Sequence, residues 1–196
     1  GWDIAKGAIA SDLYSVVVLD ELNPVLDLGL LDADEVARTL ACKPPGMEVI
    51  CTGRGAPKEL VQLADLHSEM RAHQQMDPGI TGIEIYTGEG KGKSQAALGV
   101  VLRTIGLGIC EQKQTRVLLL RFLKGPGRAY DEDAAIEALQ QGFPHLIDQV
   151  RTGRGEFFGA GEVTRIDIQE AQRGWTIDKG AIASELYSVV VLDELN

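Results

Sequence analysis

The sequence predicts a three-layer α/β fold, a mainly parallel central sheet with helices on both faces, and three observations carry that prediction. A β-branched run, Ile83-Glu84-Ile85-Tyr86, leads into a glycine-rich loop and then a helical stretch from Ser94 to about Ile105. Apolar runs at 16–19, 117–120 (within the 115–121 stretch) and 189–192 have the length and the Val/Leu content of strands buried on both faces. The composition is 44% hydrophobic but only 5% aromatic, so the core has to be aliphatic, as parallel sheets require. At 196 residues the chain is long enough for one well-buried domain of this kind.

The loop reads Thr87-Gly88-Glu89-Gly90-Lys91-Gly92-Lys93-Ser94. Its glycines let the backbone curl so that successive N–H groups face an anion, and the following helix N-terminus adds partial positive charge. Lys93 is placed to reach phosphate oxygens, and the Ser94 hydroxyl is the type of ligand a magnesium ion takes there. Thr87 stands where the usual pattern has its first glycine, so the match is a variant with Gly88 and Gly90 supplying the freedom. Strand, loop and helix together read as the P-loop NTPase class, the alternative being a solvated turn that merely contains glycines.

Taken in order, the chain opens on a segment that returns at its other end. Residues 1–23 and 174–196 agree at 20 of 23 positions, differing only at Asp3/Thr176, Ala5/Asp178 and Asp12/Glu185. An offset of 173 residues is the size of a domain, far longer than a solenoid repeat. The chain is therefore expected to be a window onto a tandem duplication. Each copy predicts a helix (2–13 and 175–186) leading into Ser-Val-Val-Val-Leu-Asp-Glu-Leu, a central strand with an acidic pair at its carboxyl end. That edge is where doubly wound sheets bind ligands. Asp20-Glu21 and Asp193-Glu194 thus read either as magnesium-holding residues, the Asp on the metal and the Glu orienting a reacting group, or as acidic helix N-termini.

Between the copies, residues 31–40 predict a helix, stopped by Lys43-Pro44-Pro45-Gly46. Residues 47–51 predict a strand, and Thr52-Gly53-Arg54-Gly55 a turn that presents Arg54 at its carboxyl end. A helix over 57–66 and a final strand over 66–70 follow, and the Gln-, Pro- and Gly-containing stretch to Gly82 reads as linker. Beyond the loop come a strand at 115–121, with Lys124 just past its end, a helix at 131–141 and a strand at 145–152. The glycine-flanked pair Phe157-Phe158 reads either as a core staple or as a flat wall for an aromatic or macrocyclic ligand. The expected organisation is 1–75 as the later part of a repeated unit, 76–82 as linker and 83–196 as the earlier part of a unit, together completing one α/β domain.

A formal net charge of −10 excludes a nucleic-acid backbone as the main partner, because that needs a broad basic face. Cys42, Cys51 and Cys110 are odd in number and unclustered, which suits core packing in a reducing compartment. His67, His73 and His145 lack ligand spacing. No apolar run reaches the ~20 residues of a membrane span, and a cytoplasmic location is expected.

The loop, the helix ending Leu-Arg-Thr-Ile-Gly, Phe-Leu-Lys-Gly after the 115–121 strand, Val-Val-Leu-Asp-Glu-Leu, and Thr-Gly-Arg-Gly with Leu-Ala-Asp-Leu-His-Ser-Glu-Met together resemble the P-loop ATP:corrinoid adenosyltransferases. The resemblance covers nearly the whole chain in permuted order: 82–196 matches the family's first two thirds and 1–71 its end. It implies transfer of 5′-deoxyadenosyl from ATP to a cob(I) corrinoid, cobalamin or a precursor, with release of triphosphate. Implied ATP contacts are Thr87, Gly88, Glu89, Gly90, Lys91, Gly92, Lys93 and Ser94. Ser94, Asp193 and Asp20 are the implied magnesium residues, and Lys93 and Glu194 the catalytic ones. Arg54 and Lys124 fall near nucleotide or corrinoid, and Phe157 and Phe158 near the corrinoid. Relatives often carry Gly-Phe-Thr-Trp where this chain has Gly155-Glu156-Phe157-Phe158. With one loop and two acidic strands, the expected assembly is a homodimer, strand-exchanged where the copies compete. A phosphate-releasing P-loop ATPase and a non-catalytic nucleotide-binding module are the alternatives.

Overall fold

The computed structural model describes residues 1–11, 13–71, 82–111, 115–125, 130–154, 156 and 160–194. The chain divides into two compact units, Gly1–Pro78 and Gly79–Asn196.

The first unit runs α1 (Trp2–Ala10), β1 (Val16–Leu19), α2 (Leu22–Asp27), α3 (Ala33–Ala41), β2 (Glu48–Cys51) and α4 (Lys58–Leu63). Strands β1 and β2 pair in parallel, Val16 opposite Glu48 through Leu19 opposite Cys51. Helix α3 starts where Asp32 accepts a hydrogen bond from the Glu35 N–H, an N-cap that supplies an acceptor to an otherwise unpaired donor. One core holds Ile9, Leu22, Leu26, Val36, Leu40, Met47 and Leu60, with Val17, Leu19, Val49 and Cys51 packed against it. Val17, Leu19, Val49 and Cys51 share one face of the pair by the period-two alternation of a strand. The opposite face is bare: Val16 is 47% exposed, Val18 57% and Ile50 40%.

The second unit runs α5 (Lys93–Glu111), β3 (Val117–Arg121), α6 (Asp133–Gly142), β4 (Ile147–Arg151), a short 3-10 turn (Ala160–Glu162), α7 (Arg165–Ala183) and β5 (Val189–Asp193). Its sheet is parallel, in the order β4-β3-β5. Helices α5 and α6 cover one face through Val101, Ile105 and Ile136, which meet Val117, Leu119, Val189 and Val191. Helix α7 packs on β3 and β5 as well. Its start is fixed by a reciprocal capping box between Thr164 and Asp167. Gly174 allows it to lie close to the sheet, because a Cβ there would come within 2.7 Å of the Phe122 ring and 3.1 Å of the Thr152 hydroxyl. Central strand β3 is buried along its whole length.

The α/β class with parallel sheets flanked by helices is therefore the one the sequence predicts. Some elements differ. Residues 83–86 form no strand: Ile83 is 94% exposed, and no ladder reaches it among the described residues. A β-branched run becomes a strand only where a neighbour supplies hydrogen bonds and a covered face. Residues 66–70 are likewise without strand structure. Helix α2 begins immediately after Asp20-Glu21, where the reading of that pair as an acidic helix N-terminus puts a helix. Cys42 and Cys110 are exposed and free, against the expected core packing, while Cys51 packs on the core of the first unit.

Candidate phosphate-binding site

The glycine-rich loop stands exposed at the start of α5, with Gly88 at φ 140° and Gly92 at φ 105°, a conformation that L side chains rarely adopt. The Lys93 ammonium lies over the loop and donates to the carbonyls of Gly88 and Gly90, 2.8 Å each. One residue on, the Ser94 hydroxyl donates to Asp193 Oδ1 at 2.7 Å. Asp193 ends β5 and is buried. The loop therefore meets the second copy of the acidic strand, within the second unit.

Asp193 also joins a buried ionic cluster at the carboxyl ends of β3 and β5. Its Oδ2 accepts from Lys124 Nζ at 3.0 Å and Arg121 Nε at 3.2 Å. Arg121, 1% exposed, donates to Asp133 at 2.6 Å and to Glu132. Arg151 pairs with Asp133 at 2.5 Å. Tyr130 lies beneath both cations, 5.1 Å from the Arg121 guanidinium and 4.8 Å from the Lys124 ammonium. Burial alone would raise the Asp193 carboxyl; hydrogen bonds from Ser94, Lys124 and Arg121, with the Lys124 charge, more than offset it and hold the group below its ordinary value. Asp193 is thus an ionised carboxylate beside the loop's Ser, with two cations behind it.

Lys124 owes its position to a tight bend. Leu123 adopts φ 58°, and Gly153 at φ 126° leaves room for the Leu123 backbone, which a Cβ at 153 would approach to 2.7 Å. Glu194 takes φ 62°, the left-handed conformation that Glu21 also has at φ 58°, and its carboxylate lies 3.8 Å from Lys124. Of the expected site residues, Lys93, Ser94, Lys124, Asp193 and Glu194 belong to the second unit, as do the loop residues Thr87, Gly88, Glu89, Gly90, Lys91 and Gly92. Asp20 and Arg54 belong to the first. There the Thr52 hydroxyl donates to Asp20 Oδ1 at 2.5 Å, and Arg54 is exposed in the turn after β2. Phe157 and Phe158 lie outside the described residues.

Sequence reading missed Arg121, Glu132, Asp133, Tyr130 and Arg151 as site residues. A signal for Arg121 was present: an arginine ending a run of three leucines inside a buried strand calls for buried carboxylates. Among the described residues there is no group of three or more His, Cys, Asp and Glu that could hold a metal. Magnesium is commonly held through one or two carboxylates while substrate phosphates and waters supply the rest. The hydrogen-bonded Ser94–Asp193 pair fits that role.

The family model for ATP:corrinoid adenosyltransferase BtuR/CobO/CobP matches residues 1–84 and again 80–196, and the chain belongs to this family of transferases. An uncharacterized protein of Nostoc sp. is 57% identical over 199 residues, covering 100% of this chain and 52% of the relative. The corrinoid adenosyltransferase of Sinorhizobium sp. is 41% identical over 70 residues, 35% of this chain and 33% of the relative. Corrinoid adenosyltransferase CobA of Salmonella typhimurium is 39% identical over 70 residues, 36% of each chain. The chain thus spans about half the length of the Nostoc relative and about a third of the named transferases. No solved structure matches. Among the described residues no helix is long and apolar enough to cross a membrane.

Proposed function

We propose that the chain carries the ATP site of a cytoplasmic corrinoid adenosyltransferase, which transfers the 5′-deoxyadenosyl group of ATP to a cob(I) corrinoid and releases triphosphate. The observation that supports this most is the hydrogen bond from Ser94 to Asp193 beside a glycine loop covered by Lys93. In this chemistry cobalt(I) is the nucleophile: the Co–C5′ bond forms as the C5′–O bond breaks, and the electron pair leaves with triphosphate. No general base is required. The protein's work is to position C5′ and to stabilise charge on the leaving group.

The chain's own residues divide that work. Lys93 exchanges two loop carbonyls for phosphate oxygens, a trade favoured by charge. Loop amides from Gly88 to Gly92 and the start of α5 hold the remaining oxygens. Ser94 and Asp193 would hold magnesium, which would supply counter-charge for the leaving group. Lys124, 3.0 Å from the same carboxylate, is a further cation for the charge of the leaving group. Glu194 orients Lys124, whereas by the family resemblance Arg54 falls near nucleotide or corrinoid, and Phe157 and Phe158 near the corrinoid.

Incubation with magnesium ATP and chemically reduced cobalamin tests this reading. The expected result is a cobalt–carbon product with triphosphate in equal amount. Phosphate release without that product would replace it by an ordinary ATPase. ATP binding with neither product would leave a nucleotide-binding module.

A further inference from the structure

Strand register sets Arg151 of β4, Arg121 of β3 and Asp193 of β5 in one row at the carboxyl end of the second unit's sheet. Arg121 is 1% exposed, and its nitrogens go to different carboxylates: Nη1 to Asp133 at 2.6 Å, Nη2 to Glu132, and Nε to Asp193 Oδ2 at 3.2 Å. Asp133 is itself held at the start of α6, by Arg151 at 2.5 Å and by the Tyr130 N–H at 2.7 Å. A guanidinium is a rigid planar fork, so anchoring its two outer nitrogens on the α6 carboxylates fixes the direction of Nε.

Buried ionic clusters are a costly route to stability, since apolar side chains of similar size often serve as well. What this one produces is an orientation. The two oxygens of Asp193 meet different partners: Oδ2 takes Arg121 Nε and Lys124 Nζ, the latter at 3.0 Å, while Oδ1 takes the Ser94 hydroxyl at 2.7 Å. Turning both oxygens toward Ser94 would strip Arg121 and Lys124 of a buried acceptor. Asp193 therefore offers a single oxygen on the side of the loop. That restriction bears on which cation fits. Magnesium demands near-ideal octahedral geometry from few protein oxygens, whereas calcium takes more oxygens, often both from one carboxylate.

We propose that Arg121 is a positioning residue that, with Lys124, holds Asp193 so that it presents one oxygen, and thereby makes the phosphate site selective for magnesium over calcium. This selectivity rests on the reading of the loop and Asp193 as the magnesium ATP site. Arg121 acts only through Asp193, and α6 acts through Arg121.

Equilibrium titration of ATP into the full chain, at saturating magnesium and again at saturating calcium, reads the selectivity as a ratio of two affinities. A loss of folded protein or of nucleotide affinity common to both cations cancels in that ratio. The parent is expected to bind ATP about tenfold or more tightly with magnesium. Arg121→Met and Lys124→Met each leave Oδ2 short of a donor and should cut the ratio by about threefold or more. Lys124→Met leaves the buried arginine in place and carries the measurement if Arg121→Met does not fold. Lys124→Gln keeps a donor without the charge, so it should weaken binding with both cations and hold the ratio within about twofold of the parent. An unchanged ratio in the methionine variants that fold would overturn the proposal, as would equal affinities of the parent with the two cations. Equal loss of the ratio in Lys124→Gln and Lys124→Met would overturn it as well, by assigning selectivity to charge in place of orientation. Absence of ATP binding by the parent with either cation would instead remove the ATP site reading, and the selectivity with it.

Discussion

Strands β1 and β5 share Ser-Val-Val-Val-Leu-Asp-Glu-Leu-Asn, yet one lies half bare beside a single neighbour and the other is covered by helices from α5 to α7. Their helices differ by one instructive residue. Ala5 of α1 corresponds to Asp178 of α7, which is fully buried with both carboxylate oxygens lacking a hydrogen-bond partner. Their acidic ends differ too: Asp20 meets a threonine hydroxyl, whereas Asp193 meets Ser94, Lys124 and Arg121. Sequence defines what a strand can do, and its neighbours decide which face, edge and carboxylate are used.

The largest expected effect breaks the cluster that only β5 has. Arg121→Leu should destabilise the second unit by about 3 kcal/mol, because it strips Asp133 and Asp193 of a buried partner while Lys124 and Arg151 remain. Urea unfolding followed by Trp175 in a Trp2→Phe background measures it, since the two tryptophans report different units. Asp178→Ala installs the residue of the other copy and should stabilise by about 1 to 3 kcal/mol at neutral pH, since a buried unpartnered carboxylate is lost. Burial pushes the Asp178 carboxyl from 3.8 up to about 6. The native state therefore keeps a proton that the unfolded chain has released, and stability contributed below about pH 4 is lost as pH rises through about 6. The variant should flatten that decline, and an unchanged pH profile would count against the orphaned carboxylate. Smallest is the strand itself: Val191→Ala should cost about 1 to 2 kcal/mol, but Val18→Ala, read through Trp2, below about 0.5. Equal costs would mean that Val18 is covered.

Much of this was legible beforehand. The loop and its helix, the strands at 16–19, 48–51, 117–121 and 189–193, and the pairing of Ser94 with a strand-end Asp follow from local pattern and motif chemistry. Which acidic strand serves the loop could not be read, because Asp20 and Asp193 sit in the same local sequence and only packing separates them. Residues 83–86 have strand propensity without a ladder, a case where a missing neighbour overrides composition. Arg121, Asp133 and Arg151 meet through strand register and a helix start, information that single residues do not carry. Phe157 and Phe158 fall outside the described residues.

Within the second unit the Ser94 hydroxyl donates to Asp193, and the proposed phosphate site depends on that pair. Titration of magnesium ATP into the Asp193→Asn and Asp20→Asn variants compares them directly, with Lys93→Ala as the loop-deficient reference. Asp193→Asn is expected to weaken binding at least tenfold, ~1.4 kcal/mol or more, while Asp20→Asn stays within about twofold of the parent. Weakening by Asp20→Asn with binding intact in Asp193→Asn would contradict it.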